Sequence, residues 1–412
     1  MSAVTFRFWR SVLVVLTGSA AAQAIPLIGS LIIARLFTPA EFGQFATWIG
    51  FVAVGTVAIT GRYEMALAIE HDGFARRVAT RATLLVVLCG GILLTLLAAL
   101  CEKFWLRGAF PPQLVWLIGP TAAVVAASQT LQSRAAADGN YRDLGIIRIA
   151  QAGAITGVQI LIGLLDPSAY GLALAHLGGA IIGVLLAQKR LSVVCDNVIG
   201  KPAFSMVEFL YRQRRFPMLA LPADLVNTVA AQIPLLIIAN RFGADEAGLL
   251  ALTLRIVGAP IGLLGASVLD VFRRRSASSY ALRGECQKEY INTLKILTIG
   301  SVFVMIFLLL IAESTFALIF GEIWRKSGTF ATWLMPMFAL RFVASPLSYM
   351  FYVANKQHLD LIWQLALLVT TLASLWLPLR LEMAIQCYGL GYALLYCVYL
   401  AMSYSLSKGG RK

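Results

Sequence analysis

Four arginines stand in or beside long apolar runs, where a guanidinium is costly unless a ligand, a partner or a water-filled cavity receives it. Arg341 lies near the middle of ATWLMPMFALRFVASPLSYM, and Arg255 about a third of the way into LALTLRIVGAPIGLLG. Arg62 sits in TGRYEMALAIE, and Arg148 opens a further run. A guanidinium grips phosphate oxygens through two parallel N–H donors. A cleft lined by Arg341, Arg255, Arg62 and Arg148 therefore suits an anionic head group. Arg341 is the foremost contact, because a lone guanidinium is least tolerable at mid-span. Four polar residues accompany them: Asp224 and Asn227 in FPMLALPADLVNTVAAQIPLLII, Glu64 two positions after Arg62, and Asp270. These are the candidates for an ion-coupling role.

Each residue also has a plainer structural reading. Asp224 can simply pair with Arg255 or Arg341, and Arg62 and Glu64 can mark an ordinary interfacial helix end. Arg134 and Arg148, near basic loops, fit snorkelling better than ligand binding. Pro222, Pro234, Pro260, Pro336 and Pro346 offer bending points within spans, or static kinks.

Other chemistry finds little support. No GxxxxGK[ST] phosphate loop is present, and GLLGAS at 262–267 lies inside an apolar run, where it reads as helix packing. Six cysteines without CxxC spacing and three isolated histidines make no metal-ligand cluster. No soluble domain or long external loop could house an enzyme site, so the chain reads as a non-enzyme.

The elements that must hold these charges are membrane helices. Apolar residues make up 59% of the chain and charged ones 13%, with mean hydropathy +0.80. A soluble domain carries about 25% charged residues, so this chain cannot build a soluble surface. Unbroken apolar runs of about 18–25 residues exclude a β-barrel. Twelve spans are expected near 11–36, 42–61, 80–100, 112–133, 145–165, 168–187, 217–239, 246–270, 292–312, 329–352, 360–379 and 384–406. With both termini cytoplasmic, 25 Lys and Arg fall on the cytoplasmic side and 7 outside, which fixes that topology by the positive-inside rule. The same short basic loops explain the net charge of +14 without nucleic acid.

The longest loop, 188–216, is basic and falls at the midpoint. Residues 31–46 (LIIARLFTPAEFGQFA) and 236–251 (LIIANRFGADEAGLLA) match at eight of sixteen positions, at an offset of 205. The expected fold is thus all-α and polytopic. Two parallel six-helix bundles, 1–187 and 217–412, flank the linker 188–216 and surround a central cleft of the kind used in alternating access.

Over 210–275, RQRRFPMLALPADLVNTVAAQIPLLIIANRFGADEAGLLALTLRIVGAPIGLLGASVLDVF resembles the polysaccharide-biosynthesis (Wzx-type, O-antigen) flippases of the multidrug/oligosaccharidyl-lipid/polysaccharide (MOP) exporter superfamily. The carriers are Phe216-Pro217, Pro222, Asn227, Gln232-Ile233-Pro234, Phe242-Gly243, Glu246-Ala247-Gly248, Arg255 and Pro260. ARLFTPAEFGQFA and RYEMALAI support it in the first half.

The resemblance implies transport of undecaprenyl-pyrophosphate-linked oligosaccharide from the cytoplasmic to the outer leaflet of a bacterial inner membrane, for O-antigen or exopolysaccharide export. It implies an ion gradient (Na+ or H+) as energy source and no other cofactor. The partners it implies are the lipid-linked oligosaccharide, membrane lipids and other polysaccharide-assembly proteins. At the offset of 205, Arg341 faces Ala136, Arg255 faces Gly50 and Asp224 faces Ser19, so the halves share scaffold but not interior charge. Two other readings stand: a cation-coupled multidrug antiporter of the same superfamily, which would want acidic interior residues, and a non-transport component of polysaccharide assembly.

Overall fold

The computed structural model describes residues 3–70, 73–104, 111–191, 205–354 and 356–409, which are helical nearly throughout and contain no strand. Each expected span becomes one long helix. These are α1 (Ala3–Leu36), α2 (Pro39–Thr60), α3 (Phe74–Phe104), α4 (Pro112–Ala137), α5 (Tyr141–Leu165) and α6 (Ala169–Leu191), then α7 (Leu221–Phe242), α8 (Ala244–Arg283), α9 (Gln287–Phe320), α10 (Arg325–Leu347), α11 (Gln357–Trp376) and α12 (Leu381–Ser407). Among the described residues, nine helices are long and apolar enough to cross a membrane. Within α1 and α9 the apolar stretches Ala20–Leu36 and Ile311–Phe320 are shorter. With all backbone groups bonded inside each segment, helices of this kind satisfy the main requirement lipid imposes.

The chain divides into two compact units, Met1–Asn240 and Arg241–Lys412. In the first, α2 packs on α3 and α4, α3 on α4, α4 on α6, and α5 on α6. In the second, the same pairs recur six helices later: α8 on α9 and α10, α9 on α10, α10 on α12, and α11 on α12. Five helix pairs thus recur, while the most extensive pairing of the first unit, α1 on α5, is not among them. Small residues permit the tight crossings. A Cβ on Gly119 of α4 would lie 2.0 Å from the Thr95 hydroxyl of α3, and one on Gly328 of α10 would lie 2.5 Å from the Glu313 backbone of α9.

The two copies of the repeated turn share a shape but not their polar contacts. After α1, Thr38 and Glu41 close a reciprocal capping box, with Glu41 Oε2 accepting from the Thr38 N–H at 2.8 Å. After α7, Gly243 (φ 97°) makes the turn, and Glu246, the counterpart of Glu41, pairs with Lys326 instead.

Helix irregularities fall on only some of the expected prolines. Pro234, Pro336 and Pro346 lie inside helices, and Pro346 precedes a break before the short helix Met350–Val353. The clearest departure from α geometry is a π-helical turn, Phe216–Ala220, that leads into α7. There the Leu221 N–H bonds to the Phe216 carbonyl, five residues back. Pro222, next in line, has no N–H with which to restore the tighter pattern. The side chain of Pro260 lies outside the described residues, as do residues 192–204 of the expected linker.

Candidate functional site

The first backbone break follows α2. Gly61 (φ 55°) and Arg62 (φ 59°) are both left-handed, after which the chain turns into the short helix Tyr63–Ala66. Gly61 tolerates this conformation; Arg62 is the only non-glycine among the described residues with positive φ. Such a conformation costs on the order of 1–3 kcal/mol and persists only where surrounding contacts hold it. The Arg62 N–H donates to the Thr60 hydroxyl at 3.3 Å, and its side chain does the rest. Nε donates to Asp224 Oδ2 at 2.6 Å, and Nη1 to Glu64 Oε1 at 3.1 Å.

The second break is the π-helical turn. It leads straight into α7 and seats Asp224 one turn beyond the irregularity. The two irregular segments also touch directly: a Cβ added to Gly61 would lie 3.7 Å from Pro217 and 3.2 Å from the Tyr63 ring. One guanidinium thus serves two carboxylates where the helical ladder is interrupted on both sides.

Burial separates the roles within this cluster. The Arg62 and Asp224 side chains are 22% and 31% exposed, whereas Glu64 is 5%. Glu64 Oε2 is buried and receives no hydrogen bond. An unsatisfied buried carboxylate oxygen is costly. Burial works against the charge on Arg62, but the hydrogen bonds it donates to Asp224 and Glu64 outweigh it and raise its pKa above the ordinary guanidinium value. The pair with Asp224 is within solvent reach and can exchange partners.

Further contacts surround the cluster. Arg76 at the start of α3 donates to the carbonyls of Leu67 (3.0 Å), Glu70 (2.9 Å) and Ala137 (3.1 Å) and to Asp138 Oδ1 (2.6 Å). It thereby ties the chain after Tyr63–Ala66 to the end of α4. Glu70 accepts from Arg212 and from Gln213 Nε2 (2.7 Å), which fastens the linker helix Met206–Arg212 beneath the break. Phe209 of that helix is buried with Ala66, Leu67, Val78, Ala79 and Ala82, and the Tyr63 hydroxyl donates to the Leu210 carbonyl at 3.2 Å. The sequence showed these residues only as basic loop and linker. Their partners lie up to 143 positions away, beyond any local pattern.

The structure brings together three of the expected residues: Arg62, Glu64 and Asp224. Asp224 pairs with Arg62, not with Arg255 or Arg341. Asn227 follows one turn later on α7 and is exposed. Arg148 donates to Gln132 Oε1 at 3.0 Å, within a network in which Gln132 and Ser128 both bond Gln151. Arg134 does not snorkel; it is buried against Asp138 at 3.4 Å.

In the second unit Arg255 is half-buried on α8. Arg341 on α10 is exposed, forms no hydrogen bond or ion pair among the described residues, and lies within electrostatic range of Tyr388 and Tyr396. The side chain of Asp270 lies outside the described residues.

A family model described as polysaccharide biosynthesis protein matches residues 32–328. No curated protein matches the chain. Among solved structures, the chain resembles the lipid II flippase MurJ in an inward closed conformation, at 11% identity and TM-score 0.72, over 95% of this chain and 87% of that one. It also resembles a MOP-superfamily transporter from Pyrococcus furiosus described as having a binding pocket of reverse polarity, at 15% identity and TM-score 0.59, over 95% and 93%. An inward-facing multidrug-resistance MATE transporter aligns at 16% identity and TM-score 0.60, over 94% and 93%. At these identities the likeness concerns the fold.

Proposed function

The chain belongs to the polysaccharide-biosynthesis family and has the fold of MOP-superfamily transporters, and from that premise we propose that it is a flippase for polyprenyl-pyrophosphate-linked oligosaccharides. It would carry them from the cytoplasmic to the outer leaflet of a bacterial inner membrane, with both termini cytoplasmic. The observation that carries this reading is the guanidinium of Arg62, shared between Asp224 and Glu64 at two helix breaks.

In the proposed cycle the pyrophosphate competes with Asp224 for Arg62, since both present oxygen pairs to the same donors. The released carboxylate, with Glu64, takes up a proton or Na+, which offsets part of the negative charge that the pyrophosphate brings while the helix breaks rearrange. Arg341, exposed in the second unit, supplies a cationic contact of its own. O-antigen or exopolysaccharide assembly is the process such a substrate serves.

One feature favours a second reading. The cluster sets two carboxylates against one guanidinium, as a site for organic cations would, and MATE transporters share the fold. Complementation decides between them. In cells lacking their own flippase, the wild-type chain should restore export of lipid-linked sugar and Arg62→Ala should not. Resistance to cationic dyes without restored export would overturn the flippase reading.

A further inference from the structure

The stretch of chain that carries Arg62 and the stretch that carries Asp224 are joined a second time. Glu70 accepts from Arg212 Nη2 at one carboxylate oxygen and from Gln213 Nε2 at the other, the latter at 2.7 Å. Its side chain is 4% exposed, against 22% and 31% for Arg62 and Asp224. A charge-assisted bond gains strength as the local dielectric falls. The Glu70 contact is therefore the firmer closure, and the Arg62–Asp224 pair is the one that solvent and ligands reach.

Main-chain hydrogen bonds connect the two closures along both stretches. On the first, the Met65 N–H bonds the Arg62 carbonyl at 3.2 Å, and the Glu70 N–H bonds that of Ala66 at 3.3 Å. On the second, the Gln213 N–H bonds back to Phe209, that of Phe216 to Gln213 and that of Met218 to Arg214. The Leu221 N–H then bonds to Phe216, and α7 with Asp224 follows at once. The buried Phe209 and the Tyr63–Leu210 bond act earlier on this stretch. Among the described residues, no side-chain hydrogen bond crosses between the stretches after Gln213 until Asp224 itself. Arg62, Glu70, Gln213 and Asp224 thus close a ring. Two cross-links between the same two stretches are coupled, because each holds the partners of the other at high effective concentration.

We infer that Glu70 is a positioning residue for the Arg62–Asp224 pair. By holding Arg212 and Gln213 it sets how strongly Asp224 competes with substrate phosphate for Arg62. The substrate in this statement rests on the flippase reading above; the positioning of Asp224 does not.

The test uses the full-length protein in nanodiscs of neutral phospholipid, with two readouts. Without substrate, mass spectrometry follows modification of Arg62 by phenylglyoxal, from which an ion pair shields it. Glu70→Ala should speed that modification about threefold to tenfold, the lower part of the range for groups coupled in one network. Asp224→Asn should speed it at least as much. Arg212→Ala combined with Gln213→Ala opens the same closure from an exposed and a half-buried position, and should reproduce the effect even where Glu70→Ala folds poorly. With undecaprenyl pyrophosphate, Glu70→Ala should tighten binding by a similar factor, and should add nothing in the Asp224→Asn background. A residue that only stabilised the fold would weaken binding in both backgrounds. Arg62 modification at the wild-type rate in these variants overturns the positioning role, as does a full effect of Glu70→Ala in the Asp224→Asn background. Faster Arg62 modification, with no variant binding undecaprenyl pyrophosphate, leaves the positioning role standing and overturns the flippase reading.

Discussion

Arg62 and Asp224 meet at 2.6 Å although they lie 162 positions apart in the chain; Arg62 sits at the left-handed break after α2, and Asp224 one turn beyond the π-helical turn that leads into α7. An ion pair between two regular helices would only fasten them. A pair between a left-handed break and a π-helical turn joins two places where the backbone can change its hydrogen bonding at low cost. The pair is also part-exposed, so an anionic ligand can compete for it.

Removing the guanidinium leaves Glu64 buried without its partner. Arg62→Ala should therefore destabilise the protein by about 1–3 kcal/mol, the cost of an unpaired buried polar group. Adding Glu64→Gln to Arg62→Ala should recover most of that stability and none of the export. Thermal melting in detergent and a complementation assay read the two effects separately.

Gly61 should resist substitution. Gly61→Ala places a Cβ at φ 55° and within 3.2 Å of the Tyr63 ring. A left-handed residue costs roughly 1–2 kcal/mol. The variant should melt lower than the wild type, whereas Gly300→Ala, with open space around it, should not.

Arg76 is predicted to matter for folding and not for binding. It is buried and donates to three carbonyls and one carboxylate. Arg76→Ala should cost about 3–5 kcal/mol, as breaking a buried pair does. It should appear as loss of monodisperse protein on size exclusion, with Asp138→Asn milder.

Arg341 should behave in the opposite way. It is exposed and has no hydrogen-bond or ion-pair partner to lose among the described residues. Arg341→Ala should leave the melting temperature unchanged while lowering export. If Arg341→Ala and Arg255→Ala both leave export intact, a cationic path for the substrate is wrong.

The sequence made the scaffold legible because lipid leaves few options. Apolar runs of spanning length must be helices, and the repeat at an offset of 205 announced the packing pairs that recur between α2–α6 and α8–α12. It also singled out Arg62, Glu64 and Asp224 one by one, as charges too close to apolar runs to ignore. Their meeting was not legible. Pairing across 162 positions depends on how α7 enters the first unit, and no periodicity records that. Arg134 misled for a different reason: its nearness to a basic loop suggested snorkelling, while Asp138, one helix turn away, receives it in a buried pair. Pro222 was marked as a bending point, but the backbone gives way just before it, in the π-helical turn.

The central claim is that substrate phosphate and Asp224 compete for Arg62, and the affinity of the purified protein for undecaprenyl pyrophosphate tests it most directly. Arg62→Ala should weaken binding roughly tenfold to a hundredfold, the worth of a hydrogen bond to a charged group at about 1.5–3 kcal/mol. Asp224→Asn should tighten binding, because it removes the competitor. Weaker binding in Asp224→Asn, or unchanged binding in Arg62→Ala, would contradict the account.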